Sequence, residues 1–229
     1  MMKAKRVSEH IWSLNTWMIV PIHVWVVVEE DGVTLVDAGM PIMAKGIMKF
    51  LKELNFGPLQ RILLTHGHVD HVGAIKTILT ENEVPVYVHQ KEIPYMEGEL
   101  LYPKRKKLEQ NVEKGIAKAL AEDELGNLKK IGSLTPFWTP GHSPGHVVYY
   151  HEKDQVLLAG DLFSSKKGKL RPPLFTPEIA EAVKSSSIVG TLNPKRLEVC
   201  HGNTVYYPAN QLEEYVGNME KKLGATEFS

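Results

Sequence analysis

The chain has 229 residues, 43% of them hydrophobic, with 27 Lys and Arg balancing 27 Asp and Glu. That length and apolar content suffice for a sizeable core, while the zero net charge gives no reason to expect nucleic acid or an anionic membrane as partner. The single cysteine, Cys200, excludes an internal disulfide framework and fits a reducing compartment, so cytoplasmic placement is the expectation.

In chain order, Lys3, Lys5 and Arg6 precede an apolar stretch that superficially mimics a secretion signal. Ser13, Asn15, Thr16 and His23 interrupt it. No uninterrupted apolar run reaches the roughly 18 residues that a membrane span needs. Residues 24–28 and 33–36 read as strands around a Glu29-Glu30-Asp31-Gly32 turn. Residues 41–54 place Ile42, Met43, Ile47, Phe50, Leu51 and Leu54 on one helical stripe behind Pro41. A strand at 61–65, a helix at 71–79 and a strand at 84–88 follow. The stretch 91–130 turns charged, with Leu108, Val112, Ile116 and Leu120 at helical spacing, and is expected to be a helical excursion over one face. Strands then resume at 136–139, 147–150 and 156–159. A basic, proline-marked loop at 163–173 precedes a helix at 177–187, a strand at 196–200 and a closing helix at 211–223. No internal repeat or linker interrupts the alternation, which predicts one α/β domain over 1–229 with helices covering sheet.

The chemistry concentrates in His66-Gly67-His68-Val69-Asp70-His71, directly behind the apolar run that ends at Thr65. In extended or turning chain, residues two apart point the same way, so His66 and His68 can pinch one ion. Asp70 and His71, where the helix begins, can address a second. Imidazole and carboxylate donors suit zinc, and also iron, manganese or cobalt; the absence of thiolate in the motif argues against a closed structural zinc knot. The same grammar recurs at later strand ends: His142 after Trp138-Thr-Pro-Gly141, Asp161 after Leu157-Leu-Ala-Gly160, and His201 after Val199-Cys200. Strand ends are where α/β proteins collect functional groups. Taken singly, each is as readily a turn residue.

Together with Leu35-Val-Asp37-Ala-Gly39, these motifs run in an order that resembles the metallo-β-lactamase superfamily of hydrolases. The resemblance implies a four-layer αβ/βα sandwich with a dinuclear site at one edge of two facing sheets. It implies that His66, His68 and His142 hold one divalent metal ion, that Asp70, His71 and His201 hold the other, and that Asp161 bridges them. Zinc is the expected metal, with manganese or iron as alternatives. One class of true lactamases carries cysteine at the Asp161 position, and the redox di-iron branch carries glutamate at the His68 position; this chain carries neither.

Paired cations lower the pKa of water towards neutrality, from about 15.7 in bulk, and so provide hydroxide without a strong base. Asp70 is expected to orient that hydroxide or to shuttle a proton. Asp37 is expected either to accept from a ligand imidazole or simply to cap its turn. His146 is expected to support a ligand or to touch substrate. His89 is read as structural, and Cys200, on a strand beside a ligand, as a buried spectator pointing the other way. The stretch Trp17-Met-Ile19 reads either as an apolar overhang suited to an acyl substrate or as core packing. Lys166, Lys167, Lys169 and Arg171 read either as a steering rim or as a solvated loop.

The short stretch after His201 disfavours a glutathione-binding extension. Ser164, where lactonases of the quorum-quenching type carry tyrosine, weakens that reading too. The expected function is therefore metal-dependent hydrolysis of an ester, thioester, lactone or similar small acyl substrate. The alternative is a mononuclear iron oxidoreductase of the persulfide-dioxygenase type in the same pocket. A small-molecule substrate is the expected partner, with a homodimer left open.

Overall fold

The computed structural model describes residues 2–226. Its first sheet is organised by β3 (Pro21–Glu29), in which Val24, Trp25, Val26 and Val27 are all fully buried. A run apolar on both faces belongs to a central strand covered on both sides. On one side of β3 lie β2 (Ile11–Trp17) and the edge strand β1 (Lys3–Arg6). On the other lie β4 (Gly32–Val36), β5 (Leu59–Leu63), β6 (Val86–Val88) and β7 (Ala117–Ala119), in sequence order. Pairing is antiparallel from β1 to β4 and parallel from β4 to β7. The parallel half needs crossovers, and α1 (Ala44–Leu54) supplies the first, burying Ala44, Ile47 and Met48.

The second sheet runs β14 (Val205–Tyr206), β13 (Arg196–Glu198), β10 (Val156–Leu158), β9 (Val147–His151), β8 (Leu134–Trp138). Strand alternation splits its side chains between two cores. Val147, Tyr149, Val156 and Leu158 join the core shared with the first sheet. Val148, Leu157 and Leu197 face a second core with Val183 of α5 (Ile179–Ser185), Val189 of α6 (Ile188–Leu192), and Tyr215 and Met219 of α7 (Leu212–Thr226). The mixed α/β layering expected from the sequence is thus present.

Several expectations need correction. The helix expected at 71–79 is two pieces, α2 (Val69–Val72) and α3 (Ile75–Leu79). At the joint, a Cβ on Gly73 would lie 2.5 Å from Pro41 Cδ, so the chain is pressed against the preceding loop. The helical excursion at 91–130 is not helical beyond one turn, α4 (Ile93–Met96). Pro103 disfavours helix at the residue before it, and Lys104, Gly98, Gly115 and Gly126 all adopt positive φ. Leu108, which the helical stripe would bury, is 57% exposed. The loop at 163–173 contains a hairpin, β11 (Ser164–Lys166) and β12 (Lys169–Arg171). Its two central residues, Lys167 and Gly168, have φ of 53° and 72°, the backbone of a tight hairpin turn usually marked by Asn-Gly or Asp-Gly.

Candidate metal centre

Each expected ligand sits just past the carboxyl end of a strand. His66 and His68 follow β5, with His68 directly preceding α2, which carries Asp70 and His71. His142 lies between β8 and β9, Asp161 after β10, and His201 after β13. All seven converge, His66, His71, His142, Asp161 and His201 being buried.

Within the cluster, His68 Nδ1 lies 2.9 Å from His66 Nε2 and 3.0 Å from His142 Nε2. Nitrogens sharing a tetrahedral zinc at 2.0–2.1 Å sit roughly 3.3 Å apart, so this trio can close on one cation with small adjustment. His201 Nε2 lies 3.2 Å from both Asp70 Oδ2 and Asp161 Oδ2, and His71 Nε2 lies 3.8 Å from Asp70 Oδ2. Asp161 also faces the trio, with Oδ2 3.4 Å from His142 Nε2. His71 Nε2 and Asp161 Oδ1, 3.6 Å apart, are buried and have no hydrogen-bond partner. Orphaned buried polar atoms are rare, and facing orphans of this chemistry are what a cation would satisfy.

The outward nitrogens of His71, His142 and His201 are held. His71 Nδ1 donates to Asp37 Oδ2 at 2.8 Å, and Asp37 also accepts from the Thr65 amide and hydroxyl, both at 2.8 Å. Asp37 is therefore an anchor for the strand end and for His71. Its φ of 59° turns the chain there. His201 Nδ1 donates to Pro21 O at 2.9 Å, and His142 Nδ1 pairs with Thr176 Oγ1 at 3.0 Å. His146 Nε2 accepts from the Asp161 amide at 3.1 Å, which assigns its proton to Nδ1, facing Thr139 Oγ1 at 2.9 Å. His146 is fully buried, so it fixes Asp161 and cannot touch substrate.

Electrostatics divide the cluster in two. Burial holds His66 and His142 well below the ordinary imidazole range and brings His68 down to about 4, leaving neutral rings with lone pairs to offer. Burial also opposes charge on His71 and His201, but their neighbours outweigh it and raise both. Cys200, Asp37, Asp70 and Asp161 act on His71; Asp161 and Asp70 act on His201. Burial pushes Asp70 up, yet His71 and His201 hold it down to about 2. The same opposition leaves Asp161 well below the carboxylate range, through His201, His71 and His142.

Cys200 departs from expectation. Its thiol belongs to a close group with Asp70, His71 and His201 and so does not point away. β13 ends at Glu198, and strand alternation does not extend to Cys200. Another grouping, His10, His151 and Asp154, is satisfied internally. Asp154 accepts from Ser8 Oγ, from the His10 amide and from His10 Nδ1, and donates its amide to His151 Nδ1. Lys153 Nζ, 3.3 Å from His10 Nε2, opposes a further cation there.

Sequence reasoning missed Glu92, Tyr102, Asn111 and Thr176. Tyr102 packs its ring 4.7 Å from that of His68, and Asn111 Nδ2 donates to Gly67 O at 2.9 Å. All four lie outside the strand-end motifs. Only the buried aromatic in an otherwise charged stretch offered any signal.

Around the cluster, the β2–β3 hairpin tip is exposed: Trp17 at 73%, Met18 at 47% and Ile19 at 94%. The core-packing reading of this stretch does not hold. A groove of about 820 Å³ runs past His201, lined by Trp17, Val20 and Leu174 and by Lys5, Lys166 and Arg171. No helix among the described residues is long and apolar enough to cross a membrane.

Residues 18–202 match the family described as "Metallo-beta-lactamase superfamily". The chain is 36% identical over 221 residues to "Probable metallo-hydrolase YybB" of Bacillus subtilis, covering 94% of this chain and 98% of that one. It is 27% identical to a "Hydroxyacylglutathione hydrolase" of Buchnera aphidicola, covering 78% of this chain and 60% of the relative. Among solved structures, a metallo-β-lactamase from Erythrobacter litoralis superposes with a TM-score of 0.74 at 14% identity, covering 95% and 96% of the two chains, a likeness of fold. With its ligand-bearing strand ends inside the matched span, the chain belongs to the metallo-β-lactamase superfamily and is a metallo-hydrolase.

Proposed function

We propose that this protein is a dinuclear hydrolase of a small ester, thioester or lactone. The observation that carries the reading is the pair of facing orphans, His71 Nε2 and Asp161 Oδ1, between two ligand sets. His66, His68 and His142 would hold one divalent ion, and Asp70, His71 and His201 the other, with Asp161 between them. Zinc fits the nitrogen and oxygen donors, as do manganese and iron. When bound, such ions supply Lewis acidity and bring the pKa of water near neutrality.

The protein's own groups do the rest. Asp37, Thr176 and Pro21 O fix the rings of His71, His142 and His201, so each offers one defined nitrogen to the centre. Asp70, a quarter exposed, is the only carboxylate of the set with access to solvent. It would orient the attacking water through Oδ1 and carry a proton to the leaving group. The exposed Trp17, which lines the groove, and its exposed neighbours Met18 and Ile19 at the hairpin tip support an apolar acyl group as the bound portion. The small-molecule partner and a cytoplasmic setting, favoured by a lone free cysteine, are part of the same proposal.

The test is a hydrolysis screen of the zinc- or manganese-reconstituted protein over esters, thioesters and lactones, with β-lactams and phosphodiesters as contrasts. Turnover of an acyl substrate is expected. Asp70→Ala is expected to lower kcat by about 10²-fold or more with an unchanged circular dichroism spectrum. Turnover of phosphodiesters alone, or a single bound iron with oxygen consumption, would contradict the reading.

A further inference from the structure

Glu92 lies just before α4, is fully buried, and forms no ion pair with Lys or Arg among the described residues. Its two carboxylate oxygens serve different loops. Oε1 accepts from the Gly67 amide at 2.9 Å and from Tyr102 Oη at 2.8 Å. Oε2 accepts from Ser143 Oγ at 2.9 Å and from the Gly145 amide at 2.8 Å. Gly67 separates His66 from His68, and Ser143 follows His142. A single side chain thus grips both loops that carry the histidine trio, and it grips neither Asp70, His71 nor His201.

The glycines support this arrangement. A Cβ on Gly67 would lie 2.4 Å from Met96 Cβ and 2.6 Å from Tyr102 Oη, and one on Gly145 would lie 2.5 Å from the Glu92 amide nitrogen. Both loops press so closely on the Glu92 turn that only glycine fits. Asn111 then holds the Gly67 carbonyl, in the next peptide unit, through its Nδ2.

We propose that Glu92 is a positioning residue for the histidine trio, setting the spacing of His66 and His68 against His142 and so the affinity of one of the two ion sites. This inference rests on the dinuclear reading above. Glutamine at this position must lose one of the two peptide N–H contacts, to Gly67 or to Gly145. Whichever way the amide turns, its NH₂ faces a peptide N–H that cannot accept.

The experiment is zinc titration of wild type, Glu92→Gln and Ser143→Ala, by chelator competition and by the zinc-induced rise in melting temperature. In Glu92→Gln, affinity for one ion is expected to fall about 10- to 100-fold while the other is retained, and the zinc-induced rise shrinks. Ser143→Ala, which removes one of four contacts, is expected to show the same asymmetry at smaller amplitude and covers the case in which Glu92→Gln does not fold. A merely structural Glu92 would lower the metal-free and zinc-loaded melting temperatures equally and leave both affinities unchanged, which would overturn the inference. Wild type that binds no zinc would instead overturn the dinuclear reading beneath it.

Discussion

At the scale of single residues, the site works by assigning each imidazole a face. His71, His142 and His201 turn their outward nitrogens to Asp37, Thr176 and Pro21 O, and His146 holds the Asp161 amide with Nε2 while Nδ1 faces Thr139 Oγ1. Neutral buried rings carry a consequence for pH. Burial brings His23 and His68 down to about 4 and His146 to about 3, against an unfolded value of about 6.5. The unfolded chain therefore takes up protons first, and stability is lost as pH falls from 6.5 towards 4. His71 and His201, raised in the folded protein, contribute stability that is fully present below 6.5 and unchanging across that window. Glu92 and Glu198, raised by burial, act in the opposite sense near its acid end but are outnumbered by the three histidines. The metal-free protein, held in chelator, is expected to melt at least about 5 °C lower at pH 4.5 than at pH 6.5 in thermal unfolding. A flat or rising profile would contradict the neutral assignment.

At the scale of elements, strand ends deliver the ligands and a hairpin meets the solvent above them. The β2–β3 tip is an antiparallel ribbon whose strands are anchored by the buried Ile11, Leu14 and Val24, so its exposed end can change without disturbing the core. Replacing both Trp17 and Ile19 with serine is expected to raise KM several-fold for longer acyl substrates while stability moves by no more than about 0.5 kcal/mol. Equal effects on short and long substrates in a chain-length series would argue against acyl contact. These elements also show what the sequence could and could not reveal. The ligands were legible because each stands where an apolar run meets glycine or a turn, a local pattern. Glu92 and Asn111 were not legible, since their partners, Gly67 and Gly145, lie far along the chain. The stretch around Tyr102 reads as helix because its apolar spacing is helical. Positive-φ residues and Pro103 instead lead it irregularly across the ligand loops. Cys200 was misplaced for a related reason: alternation was extended past the last ladder residue of β13.

At the scale of the molecule, two sheets share one core while helices cover the outer face of the second. The sandwich brings the carboxyl ends of β5 and β10 to one place. There Val147 N donates to Thr65 O at 2.8 Å, stitching the end of β5 to the second sheet, and within that sheet Cys200 N donates to Gly160 O at 2.9 Å, joining the ends of β10 and β13. Gly160, with φ of 49°, lets that stitch close, because a Cβ there would lie 2.8 Å from the Thr65 side chain. The site is thus a property of the assembled layers, with Asp37, Asp70 and Asp161 facing His71 and with Asp70 and Asp161 facing His201. The most direct measurement of the central claim is anomalous scattering from crystals of the protein grown with zinc. Two peaks are expected, one among His66, His68 and His142 and one among Asp70, His71 and His201, with Asp161 between. A single peak, or zinc bound elsewhere while this cluster stays empty, would contradict the account.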